Sequence, residues 1–509
     1  MSLLHRITLS FTITAALAGC GTLPDQIEHQ PQLSIAPTSS QLSQLSQSYA
    51  KNQPSHLSAV TLQESGWQAL SQRLALIDSA ETSIDIQYYI WNSDSSGEYL
   101  ASRIVAAADR GVRVRVMLDD INLNEREALL TALDAHPQIE IRVFNPIPTR
   151  RGVAKWLNVL GDFSRLNRRM HNKSFTVDGA VSIVGGRNIG DEYFDLANDI
   201  NFRDRDAMVM GAVVKQIEAS FNDYWDSRWS YPVELLNDEA KSDLSQVGEI
   251  TPPLYANYPA LPYGPTESLN LLNDLMADMN WVHASYIADK PVPDDVSDTN
   301  QPKATAMYLA QLASQSEQHI VLESAYLIFD DRQLDEMQIL TNHGVKVKAL
   351  TNSMASNDLV TNHSGYAGRR QDMLEHGVEL FELKPDAKVC ELSTRDANKC
   401  APTTGYGLHS KSAVFDDRIA TVGSFNFNLR STYLNTESLL VIEDREVAQH
   451  LASKIEQAMN QDNSWQLDLQ NGEVMWHSDS QTYDHEPETG RWRRIESYFL
   501  QLLPIEKYL

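Results

Sequence analysis

The chain reads as an α/β protein built from two homologous halves, each a mixed β-sheet flanked by helices. Two observations predict this. The first is a duplicated pattern: His171-Asn-Lys173-Ser-Phe-Thr-Val-Asp178 with a tail at Gly185-Gly186-Arg187-Asn188, and His409-Ser-Lys411-Ser-Ala-Val-Phe-Asp416 with a tail at Gly423-Ser424-Phe425-Asn426. The spacing of His, Lys, Asp, Gly and Asn is the same in both copies, and accident does not repeat such a pattern in one chain. The second is that the repeat continues upstream. Ile84-Asp-Ile-Gln-Tyr-Tyr-Ile-Trp matches Ile320-Val-Leu-Glu-Ser-Ala-Tyr-Leu-Ile, and Gly111-Val-Arg-Val-Arg-Val-Met-Leu matches Gly344-Val-Lys-Val-Lys-Ala-Leu-Thr.

Taken in order, each half predicts a strand, a helix (99–110 and 333–343), a second strand, a second helix and then the motif hairpin. Within the motif, Ser174-Phe-Thr-Val and Val181-Ser-Ile-Val, like Ser412-Ala-Val-Phe and Ile419-Ala-Thr-Val, read as strand pairs joined at Asp178-Gly179 and Asp416-Asp417. Both dipeptides suit tight turns. Strands alternating with helices argue for layered α/β halves, here related by a pseudo-twofold axis with one shared active site. The halves are placed at 57–235 and 304–460, with a linker or insertion at 236–303 and a C-terminal extension at 461–509.

The residue types point to chemistry on an anion. On a strand, positions i and i+2 share a face, so His171 and Lys173, and likewise His409 and Lys411, address one space. Asp178 and Asp416 fall at the turns and are expected to fix the hairpins. The Gly-rich tails allow backbone N–H groups close to a ligand, and Asn188 and Asn426 add neutral donors. Two facing hairpins would suit a phosphodiester. One His attacks phosphorus, the other protonates the leaving alkoxide, and Lys173, Lys411 and the amides bind the oxyanions. A nucleophilic His needs an acceptor on its other nitrogen. Asp204 and Glu437, each opening an alternating strand, are the expected orienters, with Asp206 the competing choice in the first half.

With these residues in place, the chain resembles the phospholipase D superfamily, whose signature is this duplicated His-x-Lys-x4-Asp element. It is most similar to bacterial cardiolipin synthases of the C type, through Ile86-Gln-Tyr-Tyr-Ile-Trp, Asp162-Phe-Ser-Arg-Leu-Asn-Arg-Arg-Met-His171, Val184-Gly-Gly-Arg-Asn-Ile-Gly-Asp-Glu-Tyr-Phe194, Tyr483-Asp-His-Glu-Pro-Glu-Thr489 and Leu503-Pro-Ile-Glu506. The resemblance implies a metal-independent phosphatidyl transfer through a phosphohistidine, with no cofactor. It implies His171 as nucleophile and His409 as general acid and then base. The leading expectation is cardiolipin formation from two phospholipids, phosphatidylglycerol with phosphatidylethanolamine as a further candidate donor; any helper protein is unknown. A phospholipase D-type hydrolase or exported nuclease is the alternative. A non-catalytic lipid-binding lipoprotein is opposed by the two complete motifs.

Residues 1–19 carry His5 and Arg6, then an apolar stretch, and end Leu17-Ala18-Gly19, directly before Cys20. This reads as a lipoprotein signal with Cys20 as the lipidated residue, against an ordinary signal peptide or a core helix. Gly21 follows where an Asp would cue inner-membrane retention. The expected place is therefore the periplasm-facing cell envelope, lipid-anchored, the outer membrane favoured. Residues 20–56, rich in Ser, Gln and Pro, read as a flexible spacer. In an oxidising periplasm Cys390 and Cys400, ten apart, suit a disulfide better than a metal site.

The net charge of −26 argues against a nucleic-acid enzyme. Positive charge gathers near the first motif at Arg165, Arg168, Arg169, Lys173 and Arg187. It reads as a local field for anionic head groups, or as a solvated loop at Arg165 and Arg168. Trp492, Ile495, Phe499 and Leu502 fall on one helical stripe beside Arg491, Arg493 and Arg494, which reads either as core packing or as membrane contact. The stretch 156–161 is a second lipid-touching candidate. His363, Tyr366 and Arg370 resemble the family's substrate side, with structural roles equally open.

Overall fold

The computed structural model describes residues 40–123, 127–147, 163–236, 250–291, 301–479, 481–501 and 508. The leader, Cys20, the spacer up to residue 39, the stretch 156–161, the acidic run from 292 to 300, Leu502 and the segment 503–506 lie outside them.

The first half runs β1 (Ser58–Gln63), β2 (Ser83–Tyr88), β3 (Arg113–Asp119), β4 (Ile139–Phe144), β5 (Ser174–Val177), β6 (Val181–Gly185), β7 (Ile200–Arg203), β8 (Asp206–Gly211) and β9 (Ser230–Pro232). The second runs β10 (Asn280–Ala288), β11 (His319–Ser324), β12 (Lys346–Asn352), β13 (Val378–Leu383), β14 (Gly405–Leu408), β15 (Lys411–Phe415), β16 (Ile419–Gly423), β17 (Ser438–Glu443) and β18 (Ser464–Gln470), followed by β19 (Glu473–Ser478) and β20 (Gln481–Tyr483). In each half three parallel strands, β4-β3-β2 or β13-β12-β11, continue into an antiparallel set, β5-β6-β8-β1 or β15-β16-β17-β10. β1 pairs with β10, from Ser58↔Val282 to Val60↔Asn280, so both halves join in one sheet, 18-stranded among the described residues. The architecture is the α/β duplication that the sequence predicts.

The repeat preserves local start and stop signals. The helices Ser95–Asp109 and Asp331–Asn342 begin at Asp94 and Asp330, whose carboxylates accept from the N–H groups of Gly97 and Gln333. Both are followed by glycines in the left-handed region, Gly111 at φ +94° and Gly344 at φ +88°, which turn the chain directly into β3 and β12. Buried aliphatic side chains form one core in each half. A further cluster joins Val184, Ala207 and Val209 of the first half to Val422, Leu440 and Ile442 of the second. The two sheets therefore share apolar burial as well as strand pairing.

Three segments differ from their sequence reading. Residues 41–50, read as spacer, form the helix Gln41–Ala50. Its Leu42, Leu45 and Tyr49 pack on the first-half core, an apolar stripe hidden among Ser and Gln. The segment read as linker holds the helix Pro265–Ala277 and β10. β10 stands to β17 as β1 stands to β8, so the second half starts within that segment; Val282 and Tyr286 on one face of β10 bury against the shared cluster. Finally, β18 of the C-terminal extension pairs with β13 and lengthens the second sheet.

Candidate active site

Register places the motif histidines. β5 and β15 are locked to β2 and β11 by the pairs Ser174↔Gln87 and Lys411↔Ser324, so each His stands just before its strand, at the seam between halves. There each backbone is tied to the opposite half. The His171 N–H donates to the Thr436 carbonyl and the His409 N–H to the Arg203 carbonyl, both at 2.8 Å. β7 and β14 add a short parallel pair across the seam, ending at Leu408↔Arg203. The Met170↔Thr436 bridge is its counterpart.

The carboxylates cross the same seam. His171 Nδ1 lies 2.7 Å from Glu437 Oε2, and His409 Nδ1 lies 2.6 Å from Asp204 Oδ2. Both acids foreseen from sequence thus meet imidazoles, but each meets the imidazole of the other half. Asp206, the competing choice, instead pairs with Arg73 at 2.7 Å. Glu437 is further fixed by the hydroxyls of Ser424 (2.6 Å) and Ser431 (2.7 Å).

The electrostatics follow from burial. Desolvation lowers the His171 imidazole to about 4; Glu437 opposes this, while Lys173 and Lys411 push it further down. Desolvation and then Lys411 lower His409 to about 3 against the pull of Asp204. Burial raises the carboxyl groups, but the facing imidazoles and lysines outweigh it and hold Asp204 and Glu437 below the usual range. At neutral pH each pair is a neutral imidazole whose Nδ1–H donates to a carboxylate, which leaves Nε2 with its lone pair. Desolvation also lowers Lys173 to about 7 and Lys411 to about 8. Lys173 Nζ donates to the His171 carbonyl at 2.7 Å, and Lys411 Nζ donates to that of His409. Asn188 and Asn426 are buried, and their carboxamide oxygens make no hydrogen bond among the described residues.

Asp178 and Asp416 sit at the hairpin turns with φ of 52° and 54°, as expected, but they reach beyond the hairpin. Asp178 accepts from the N–H groups of Thr82 (2.8 Å) and Ser83 (3.0 Å). Asp416 accepts from Glu317 (2.8 Å), Gln318 (2.8 Å) and His319 (3.0 Å). Each clamps its turn to the chain entering β2 or β11. The tail glycines also serve packing. A Cβ at Gly185 would lie 2.1 Å from Asp206 Oδ1 and 2.5 Å from its Cα, and one at Gly423 would lie 2.1 Å from the Ser438 carbonyl oxygen. Their lack of a side chain is demanded by the neighbouring strand, whatever binds beyond it.

The basic cluster is largely buried, Arg168, Arg169, Lys173 and Arg187 each being 1% exposed, so Arg168 is not part of a solvated loop. Arg169 pairs with buried Asp119 at 3.1 Å, Arg187 lies 3.4 Å from Asp206, and Arg165 donates to Asn145 Oδ1 at 2.5 Å. Arg165 and Arg169 organise the chain leading into His171, while Arg187 holds the segment at Asp204 and Asp206. His363 and Arg370 form a buried network with Glu486 (3.1 and 2.9 Å), and Arg370 also meets Glu382 at 2.9 Å; Tyr366 packs against both, with ring centroids 5.7 Å from His363. Cys390 and Cys400 are joined in a disulfide. The stripe of Trp492 is not core, since Trp492 is 83% and Phe499 63% exposed.

The sequence reading missed the rings that frame the imidazoles. Tyr89 meets His171 edge-on with centroids 4.8 Å apart, and Tyr193 meets His409 in the same way at 5.0 Å. Both lie in segments quoted above for their resemblance, but only the fold shows what they face. Among the described residues no group of three or more His, Cys, Asp or Glu side chains is placed to hold a metal ion.

A family model described as "Cardiolipin synthase, PLD-like domain" matches residues 74–225 and 309–459, one block in each half. The chain is 36% identical over 452 residues to "Cardiolipin synthase C" of Escherichia coli, covering 87% of this chain and 94% of that one. It is 30% identical over 487 residues to an uncharacterized protein of Helicobacter pylori, covering 93% and 94%. Its fold matches the crystal structure of a phosphatidylserine synthase from Haemophilus influenzae with a TM-score of 0.58 at 13% identity, covering 91% of this chain and all of that one. The fold and the duplicated motif define the phospholipase D superfamily. Within it, the chain belongs to the phospholipase D-like cardiolipin synthases, a family of phosphatidyltransferases.

Proposed function

We propose that the protein makes cardiolipin by transferring a phosphatidyl group from one phospholipid to the glycerol hydroxyl of another, through a phosphohistidine and without a metal. The observation that carries this is the crossed pair of imidazole–carboxylate dyads, His171 with Glu437 and His409 with Asp204. A dyad holding Nδ1–H leaves Nε2 free to attack, and two dyads supply the nucleophile and acid that a double displacement needs.

With phosphatidylglycerol as donor, His171 Nε2 attacks phosphorus and the P–O bond to the head-group glycerol breaks. Binding of the anionic phosphodiester favours the imidazolium at His409, and the departing oxygen takes that proton, so glycerol leaves and phosphatidyl-His171 remains. A hydroxyl of a second phosphatidylglycerol then gives its proton to His409 and attacks phosphorus. The P–N bond breaks, cardiolipin forms, and both imidazoles return to their starting states. Lys173, Lys411, Asn188 and Asn426 bind the phosphoryl oxygens and supply the positive charge and donors that the developing oxyanion requires. The same site would serve water as acceptor, giving phosphatidic acid; exclusion of water decides between the two. Phosphatidylethanolamine as donor would release ethanolamine by the same steps.

Cys20, once acylated, would tether the enzyme to the periplasmic side of the envelope, with the outer membrane favoured by Gly21. Metabolic labelling with a clickable fatty acid should mark the wild type and not Cys20→Ser. Purified protein given labelled phosphatidylglycerol, with and without phosphatidylethanolamine and with and without EDTA, should yield cardiolipin and glycerol in every case. Phosphatidic acid as the sole lipid product would overturn the synthase reading, and loss of turnover in EDTA would overturn the metal-free one.

A further inference from the structure

The helix Arg491–Gln501 turns outward the side chains that a core helix would bury. Trp492 (83%), Tyr498 (61%), Phe499 (63%) and Ile495 (45%) are exposed, while Ser497 is the buried residue of the helix. The helix lies along Val360–Glu375 and is pinned by Arg493, which donates to the Asn357 carbonyl at 2.7 Å. Asn357 is next to Asp358, whose carboxylate takes the Tyr326 hydroxyl at 3.1 Å and lies within electrostatic reach of Lys411. The helix is thereby tied to the segment that carries Asp358, on the Lys411 side of the candidate site. Other exposed apolar residues stand on segments that lead to the site. Leu359 (47%) follows Asp358. Phe163 (46%), on the segment entering the first motif, packs edge-on against Tyr508 at 5.5 Å, and the Tyr508 carbonyl accepts from Arg430. Ile121 (41%) lies two residues past Asp119, which holds the backbone of Met170 just before His171.

The charge of this helix is opposite to that of the chain. Arg491, Arg493 and Arg494 stand with the single acid Glu496 on a protein of net charge −26. An aromatic stripe with flanking arginines matches the interfacial zone of an anionic bilayer, where rings sit at head-group depth and guanidinium groups meet phosphates. It is a poor match to a second copy of this acidic chain.

We propose that this rim, with the helix Arg491–Gln501 as its chief element, docks the mouth of the active site into the surface of an anionic phospholipid bilayer. The choice of a lipid surface rests on the lipid-transfer reading above. The contact is separate from any anchor on Cys20: a tether fixes the distance to the membrane, whereas the rim sets which face of the enzyme meets it and lets a head group enter without leaving the interface.

The test uses the full chain and vesicles of phosphatidylglycerol and phosphatidylcholine carrying acyl-chain bromine as a quencher. The wild type should show quenched tryptophan emission that is lost in Trp492→Phe and on replacing phosphatidylglycerol by phosphatidylcholine alone. Equal quenching in wild type and Trp492→Phe would overturn the proposal. A second arm compares Ile495→Ser/Phe499→Ser with wild type on vesicles and on short-chain phosphatidylglycerol below its micelle threshold. Activity should fall about tenfold or more on vesicles, the scale expected for losing the burial of two apolar side chains, and stay near wild type on the monomeric lipid. Equal losses on both substrates, or none on either, would overturn it. So would a wild type whose Trp492 is unquenched but which dimerises until Phe499 is replaced. Quenching at Trp492 by vesicles on which the wild type shows no turnover would refute the transfer reading and leave the docking intact.

Discussion

Glu437 and Asp204 show how far single residues can be read and where reading stops. The sequence reads each as opening an alternating strand, which marks both as acids for the two histidines; in the structure Asp204 stands two residues before β8 and Glu437 one before β17, and the crossing of partners between halves is set by tertiary folding and leaves no trace in local spacing. The roles are testable one residue at a time. His171→Ala and His409→Ala should each lower turnover about a thousandfold or more, and Glu437→Gln or Asp204→Asn roughly 10²- to 10⁴-fold with the fold retained, since an amide supports the wrong tautomer. Steady-state kinetics with circular dichroism checks this, and near-normal rates in either alanine variant would contradict it. The lysines give a pH signature. Lys173, lowered to about 7 by burial, is mostly neutral at pH 8 in the free site. An anion beside it favours the ammonium again, so binding must take up protons at that pH. Calorimetry with inorganic phosphate in two buffers of different ionisation heat should show net uptake at pH 8, reduced in Lys173→Met.

At the scale of elements, the motif hairpins are held by interactions that the pattern contains but does not explain. Asp178 was legible as a turn residue; its clamp on the chain before β2 was not, because the partners lie about a hundred residues away. Removing that acceptor from Thr82 and Ser83 in Asp178→Ala should cost about 1–3 kcal/mol of stability, measured by denaturant unfolding. Asp416 adds a pH dependence. Burial is the largest single influence and raises its carboxyl group, but the three backbone donors together outweigh it and hold its pKa below the ordinary carboxylate value. Its contribution is thus present above the unfolded pKa and fades as pH falls through the folded one. Unfolding curves between pH 6 and pH 3 should converge for wild type and Asp416→Asn as the acid limit is approached. The Cys390–Cys400 disulfide closes a loop ten residues apart in sequence, so Cys390→Ser/Cys400→Ser should be about 2–3 kcal/mol less stable. The helix Gln41–Ala50 escapes the sequence reading because its apolar residues are sparse among Ser and Gln, and only packing against the first-half core reveals the face they share.

For the whole molecule, duplication was legible and its consequence for the site was less so. The repeat of strands, helix signals and motifs gave the two halves. The continuity of the sheet through β1 and β10 depends on a segment whose Pro-rich and acidic surroundings look like linker. Because each half supplies the carboxylate and the backbone acceptor for the other half's histidine, neither half holds a complete dyad. One chain therefore carries one whole site, and mixing His171→Ala with His409→Ala protein should restore no activity; recovery would mean that sites form between chains. The central claim is that His171 becomes covalently bound to the phosphatidyl group while His409 manages protons. It is tested most directly in His409→Ala with a phosphatidyl ester of p-nitrophenol, whose leaving group needs no proton. The account predicts a burst of one nitrophenolate per enzyme and a phosphatidyl adduct on the peptide bearing His171. A missing burst, or an adduct on any other residue, would contradict it.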